Sequence, residues 1–177
     1  MKRIIILTVL ALGAMAVNAQ NQNFESKYHT LETKRQEMFE IISKMDSCLI
    51  KLEKISDSIK ENVALYRIDT LKKIESRVEV SILWKKFAIL KDDYIQYMKE
   101  YNNLTFWIKE ERVWLISRER VIKTLPLSDQ SEWLNYKNTL DILFLSWEQS
   151  FNNKIEKDFN KFNYFFTQSI EGIQALK

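Results

Sequence analysis

The sequence predicts an all-α fold: an elongated antiparallel bundle of three long helices with coiled-coil-like seams. Three observations carry this. The 177-residue chain has two glycines and one proline, and neither residue type occurs between Met15 and Leu125. Sheets need such residues at their frequent turns, so their scarcity points to few turns and long helices. Apolar residues recur at alternating steps of four and three, the spacing of one helix face. That rhythm breaks clearly in only two places.

The first element is a leader. Met1-Lys2-Arg3 is a short basic start, and Ile4 to Leu12 is apolar apart from Thr8. Small or short residues at Val17-Asn18-Ala19 fit a signal-peptidase site, so cleavage is expected after Ala19, with Ala16 as second choice. Residues 1–19 are thus read as a cleavable signal peptide and residues 20–177 as a single helical-bundle domain. The apolar run falls short of the roughly 20 residues of a spanning helix, so no stable membrane span is expected after cleavage. No cysteine lies near the cut to carry a lipid. The protein is expected to be exported, to a periplasm or to the outside. Lys+Arg is 27 and Asp+Glu 24, but Lys2 and Arg3 belong to the leader, so the remainder is nearly neutral. Acids and bases alternate rather than cluster, which argues against a nucleic-acid partner.

The first helix follows Phe24, Tyr28, Leu31, Arg35, Met38, Ile42, Met45, Leu49, Leu52, Ser56, Ile59, Val63 and Tyr66. All but Arg35 and Ser56 are apolar. The stripe then slips, because the next apolar residues are Ile68, Leu71, Ile74 and Val78. A turn is expected within residues 61–70, with Asn62 or Asp69-Thr70 as the breaker, since these side chains compete for backbone hydrogen bonds. Ser58 and Glu61 offer a weaker capping box. A second seam runs Val80, Leu83, Phe87, Leu90, Tyr94, Tyr97, Tyr101, Leu104, Ile108, Glu111, Leu115, Arg118, Ile122 and Leu125. Trp84, Met98, Trp107 and Trp114 widen it.

Pro126 marks the second turn, expected over residues 125–129, with Asp129 and Glu132 as a capping box and Ser128 as the alternative cap. The third stripe is Trp133, Tyr136, Leu140, Leu143, Trp147, Phe151, Ile155, Phe159, Phe162, Phe166, Ile170 and Ile173. Asn102-Asn103 and Asn152-Asn153 lie equally far from this turn. Asn is a poor helix former, so both helices are expected to kink there; if both ended instead, the bundle would have five helices.

The residues for catalysis are sparse. His29 is the one histidine and Cys48 the one cysteine, about 28 Å apart along one helix, too far to act as a pair. One histidine also excludes the usual Ser-His-Asp arrangement and ordinary zinc sites. Cys48 reads as a buried free thiol. Asp92-Asp93 and Glu110-Glu111 are neighbours whose side chains diverge by about 100°. No catalytic, cofactor-binding or metal-binding residue is assigned. Seam residues Glu111 and Arg118 either snorkel to water or pair with a neighbouring helix and fix its register.

The aromatic residues carry the functional expectation. Tyr164 and Phe165 fall off the Phe162–Phe166 line and are read as a partner-binding surface. The expected function is therefore non-catalytic: protein–protein interaction in the cell envelope, as adaptor, assembly subunit or holdase-like chaperone. The partner is an unidentified protein, with self-association an open alternative. In architecture the chain resembles periplasmic holdase chaperones with helical arms, a likeness that no motif carries. The other reading is a carrier of an apolar small ligand within the bundle.

Overall fold

The computed structural model describes the backbone of residues 2–69 and 71–176, and the side chains of 26–69 and 71–176. The chain is all-α: α1 (Lys2–Ile68), α2 (Lys73–Ile122), α3 (Leu127–Ser146), a π-helical turn (Trp147–Asn152) and α4 (Asn153–Gln174). Because α3, the π turn and α4 follow without a break, there are three long helical rods. Among the described residues there is no strand. The leader's cleavage site lies outside the residues whose side chains are described.

Both turns sit slightly away from where the sequence places them. The first falls at the far edge of the 61–70 window, and Asp69 makes it. Its backbone N–H donates to Leu65 O at 2.9 Å, closing α1, and its carboxylate accepts the Leu71 N–H at 2.9 Å. Asn62 and Ser58 do not break the helix. The Ser58 hydroxyl donates to Lys54 O and the Asn62 amide to Ser58 O, both at 2.9 Å. These bonds reach back four residues within the helix rather than capping a new one. At the second turn α2 tightens, with Thr124 N donating to Val121 O and Leu125 N to Ile122 O, both at 3.0 Å. The next helix opens on Pro126, whose carbonyl accepts the Gln130 N–H at 3.0 Å. The expected Asp129–Glu132 capping box is thus displaced: Asp129 already lies inside the first turn of α3. Gln130 instead ties the two helices, its amide donating to Leu125 O at 2.8 Å.

The packing divides into two compact units: Met1–Glu37 with Thr105–Ser146, and Met38–Leu104 with Trp147–Lys177. In the second, α1 and α2 run antiparallel. The Cys48 thiol meets Leu90 O, and Ile59 and Val63 pack with Val80 and Leu83. Here α4 runs parallel to α1: Ser56 Oγ donates to Phe165 O at 3.4 Å, and further along Gly172 faces Ile59. In the first unit, α2 and α3 are antiparallel neighbours, tied by Arg112 and Asp141 at 3.0 Å. Tyr28 of α1 packs edge-on against Tyr136 of α3.

Most described positions of the first two predicted seams are buried; Tyr28, Tyr66, Leu90, Tyr97, Glu111 and Leu125 are half-buried, and Arg35 and Arg118 are exposed. The third departs after the π turn. Trp133, Tyr136, Leu140, Leu143 and Trp147 are buried as expected, but the line then continues through Ile155, Asp158, Phe162, Phe165 and Ser169. A π turn takes one more residue than an α turn. The two four-residue steps from Trp147 through Phe151 to Ile155 absorb that extra residue at once, and the three-four rhythm resumes in phase. An uninterrupted α-helix would carry the drift onward, which is why spacing alone places Phe159 and Phe166 inward. Phe159 is instead exposed and Phe166 half-buried. The Asn pairs likewise divide. Asn152 is helical, with φ −61° and ψ −47°, and stands at the junction of the π turn with α4. Asn102 and Asn103 lie within unbroken α2.

Candidate functional site

The first unit holds a polar cluster built on a seam position. Glu111 replaces an apolar residue on α2 and is drawn inward by partners on both neighbouring helices. Lys27 Nζ of α1 lies 2.5 Å from Glu111 Oε1, and the Tyr136 hydroxyl of α3 donates to the same oxygen at 2.9 Å. The Lys27 ammonium also sits 3.8 Å from the centroid of the Trp114 ring, a cation–π contact. Burial, and then the Glu111 charge, push the Tyr136 hydroxyl far above the ordinary phenol range, so it stays a neutral donor. Next to this cluster, Asp141 accepts from Arg112 at 3.0 Å and from Lys137 at 2.7 Å. Burial opposes ionisation of Asp141, but those two cations hold its carboxyl below the usual range. The sequence left Glu111 and Arg118 between two fates. Glu111 pairs across helices, whereas Arg118 is exposed, its guanidinium 5.8 Å from the Trp114 ring.

The cluster has the chemistry of a structural lock. Its members are engaged with one another. Elsewhere, His29 is exposed, its ring beside the Thr33 hydroxyl at 3.3 Å. Cys48 is buried, its thiol donates to Leu90 O at 3.1 Å, and burial followed by Asp93 pushes its pKa up to about 11. A thiol held protonated in this way is a poor nucleophile at neutral pH. Among the described residues no group of three His, Cys, Asp or Glu side chains is placed to hold a metal, and no helix is long and apolar enough to cross a membrane.

In the second unit the aromatic excess is spent on itself. Trp84, Phe87, Phe166, Phe162 and Tyr94 form a run of near-parallel rings, with centroids 4.7 Å apart for Tyr94–Phe162 and 6.3 Å for Phe162–Phe166. The clefts in this unit are open and of mixed lining. One of about 210 Å³ lies beside Arg77, Trp84 and Ile173, and one of about 340 Å³ beside Lys60, Arg67 and Glu171.

The pair read as a partner surface separates. Tyr164 is 57% exposed, but Phe165 is 7% exposed and its carbonyl accepts from Ser56. The phase reset at the π turn brings Phe165 onto the seam, so the two residues do not form one exposed face. The larger exposed apolar features lie elsewhere. On α2 in the first unit, Phe106, Val113 and Ile116 are exposed at steps of seven and three, opposite the Leu104–Ile108–Leu115 seam. At the α1–α2 turn in the second unit, Leu65, Ile68, Leu71, Ile74 and Val78 are exposed. The sequence flags four of the second set, Ile68, Leu71, Ile74 and Val78, as the apolar residues out of phase at the slip. The first set is visible only when the outer face is read for a rhythm of its own.

The architecture and clusters together define an all-α helical bundle. No family model, curated protein or solved structure matches the chain.

Proposed function

We propose that this chain is an exported, non-catalytic helical-bundle protein of the cell envelope that acts by presenting a helix surface to a protein partner. The leader supports export. The observation that carries the interaction is the outer stripe Phe106, Val113 and Ile116, with Lys109 between the first two and Arg120 one turn beyond the last. Steps of seven and three are what an amphipathic helix presents to another helix, and here they face outward. Exposed apolar residues in such a row mark a contact surface. The partner that fits is an amphipathic helix laid along α2. The carrier reading has less support, since the Trp and Phe rings of the second unit stack on one another instead of lining an enclosed cavity.

A photo-crosslinking side chain at Val113 or Ile116, expressed in the producing cell, tests this. The expected result is one discrete envelope-protein adduct from both positions and none from exposed Glu53 on α1. No adduct, or equal adducts at Glu53, overturns it.

A further inference from the structure

The geometry points to the tip of the α1–α2 hairpin as a docking site for an anionic lipid surface. Among the described residues α4 ends at Gln174, below the tip. Leu176 packs with Val63 and Val80, and among the described residues no third helix covers the hairpin beyond that level. Three large aliphatic side chains stand almost fully in solvent there: Leu71 at 97%, Ile68 at 83% and Ile74 at 81% exposed. Leu65 and Val78 continue the patch down the two helices.

Cations surround this apolar end. Between residues 65 and 78 the chain carries Arg67, Lys72, Lys73 and Arg77 against Asp69 and Glu75. The Asp69 carboxylate is turned into the hairpin, where it accepts the Leu71 N–H. Arg77 follows Ile74 by about one turn, roughly 5 Å along the helix axis. It opens into one cleft beside Trp84, and Arg67 opens into the cleft on the other side of α4. Lys72 and Lys73 stand between Leu71 and Ile74, and Arg67 and Arg77 flank the apolar residues on either helix, so apolar and cationic groups meet at one end as at the boundary between acyl chains and headgroup phosphates.

Size and shape select lipid over protein. A stable protein interface takes roughly 20–30 residues a side, whereas the tip offers one small convex cluster. A lipid surface needs no complementary pocket, and each nearby Lys or Arg strengthens its hold on anionic headgroups.

The test is flotation of the full chain with vesicles of pure phosphatidylcholine or of phosphatidylcholine containing phosphatidylglycerol. The apolar leader gives a background common to all variants, so the comparison is between chains. The wild type is expected to float more with the anionic vesicles. The Ile68→Ser, Leu71→Ser, Ile74→Ser triple variant should return to the neutral-vesicle level. Lys72→Gln with Lys73→Gln should weaken anionic binding by roughly thirtyfold at low salt. All five positions are exposed, so circular dichroism should stay unchanged. Flotation that ignores vesicle charge, or survives the triple substitution, overturns the proposal. So does sedimentation equilibrium showing a dimer that the triple variant abolishes, since the tip would then belong to a second copy.

Discussion

Lys27 of α1 and Glu111 of α2 meet at 2.5 Å on what the sequence marks as an apolar seam, and Tyr136 of α3 completes the contact. A charge at such a position is costly unless paired, and removing one partner leaves the other unpaired. Glu111→Ala should therefore cost about 2–3 kcal/mol, below the cost for a fully buried pair because Lys27 is partly exposed. Arg118→Ala, two turns on and exposed, should change stability by less than about 0.5 kcal/mol. Urea denaturation of both variants checks this; equal effects would show that Glu111 is not a lock.

Alkaline pH should unfold the protein more readily. Burial raises the pKa of Tyr94 and Tyr136, and that of Tyr101 to about 12, with the Trp147 indole N–H partly opposing the last. A raised folded-state value means that the native chain keeps protons the unfolded chain releases. The contribution is fully present below pH 10, the ordinary phenol value, and is lost as pH rises through the folded values. Each such tyrosine costs about 1.4 kcal/mol of stability per pH unit in that window. Thermal melts from pH 8 to 11 should be flat up to about pH 9.5 and then fall steeply. Absorbance at 295 nm should show a late tyrosine ionisation coincident with unfolding.

Much of this fold was legible because a long helix repeats its signal many times. From Leu31 to Val63 the predicted stripe is buried at every position except Arg35, which turns out to Glu32 at 2.6 Å. The turns were legible to within a few residues, since Asp69 and Pro126 are chemically marked. The π turn was not. Trp147 to Asn152 carries no proline or glycine: Asn152-Asn153 marked the place as an expected kink, but the extra residue shows only as successive four-residue steps, which a drifting α-helix also gives. That one unread residue reversed the assignments of Phe165 and Phe159. The exposed surfaces were legible only in part, because apolar residues off a seam do not say whether a second seam covers them.

Tyr164 and Phe165 can now be separated by experiment. Phe165→Ala removes a buried ring and should cost about 3–5 kcal/mol. Tyr164→Ser removes an exposed ring that accepts from the Gln168 amide at 2.6 Å and touches the Phe165 ring edge-on, and should cost less than about 1 kcal/mol. Equal costs in chemical denaturation would mean that the two share one environment.

Gly172 brings α4 close to α1. A Cβ added there would lie 2.8 Å from Ile59 Cγ2 and 3.5 Å from Val63 Cγ2. Both neighbours are β-branched and stiff, so the clash is not relieved by a side-chain rotation. Alanine would improve helix propensity by about 1 kcal/mol, and overpacking costs about 1–3 kcal/mol. Gly172→Ala should therefore lower the melting temperature slightly, and a rise would show that the two helices can part without loss.

The π turn makes the sharpest prediction, because it concerns a deletion that should do little harm. Gln149 is exposed within the turn, and the turn holds one residue more than an α-helix needs. Deleting Gln149 lets Trp147 to Asn152 close as ordinary α-helix. The buried stripe then runs from Trp147 to Ile155 in seven residues rather than eight, and Phe162 and Phe165 keep their places. Deleting exposed Asn138 from α3 has no spare residue to draw on. Every side chain on one side of the cut would turn by about 100°, moving Trp133 and Tyr136 off the seam relative to Leu140 and Leu143. The chain lacking Gln149 should remain helical and melt cooperatively within a few degrees of wild type. The chain lacking Asn138 should lose cooperative melting or fall far in stability. If both deletions are equally damaging, the π turn is fixed by its own contacts, such as Phe39 edge-on against Phe151 at 5.6 Å, and does not act as a store for one surplus residue.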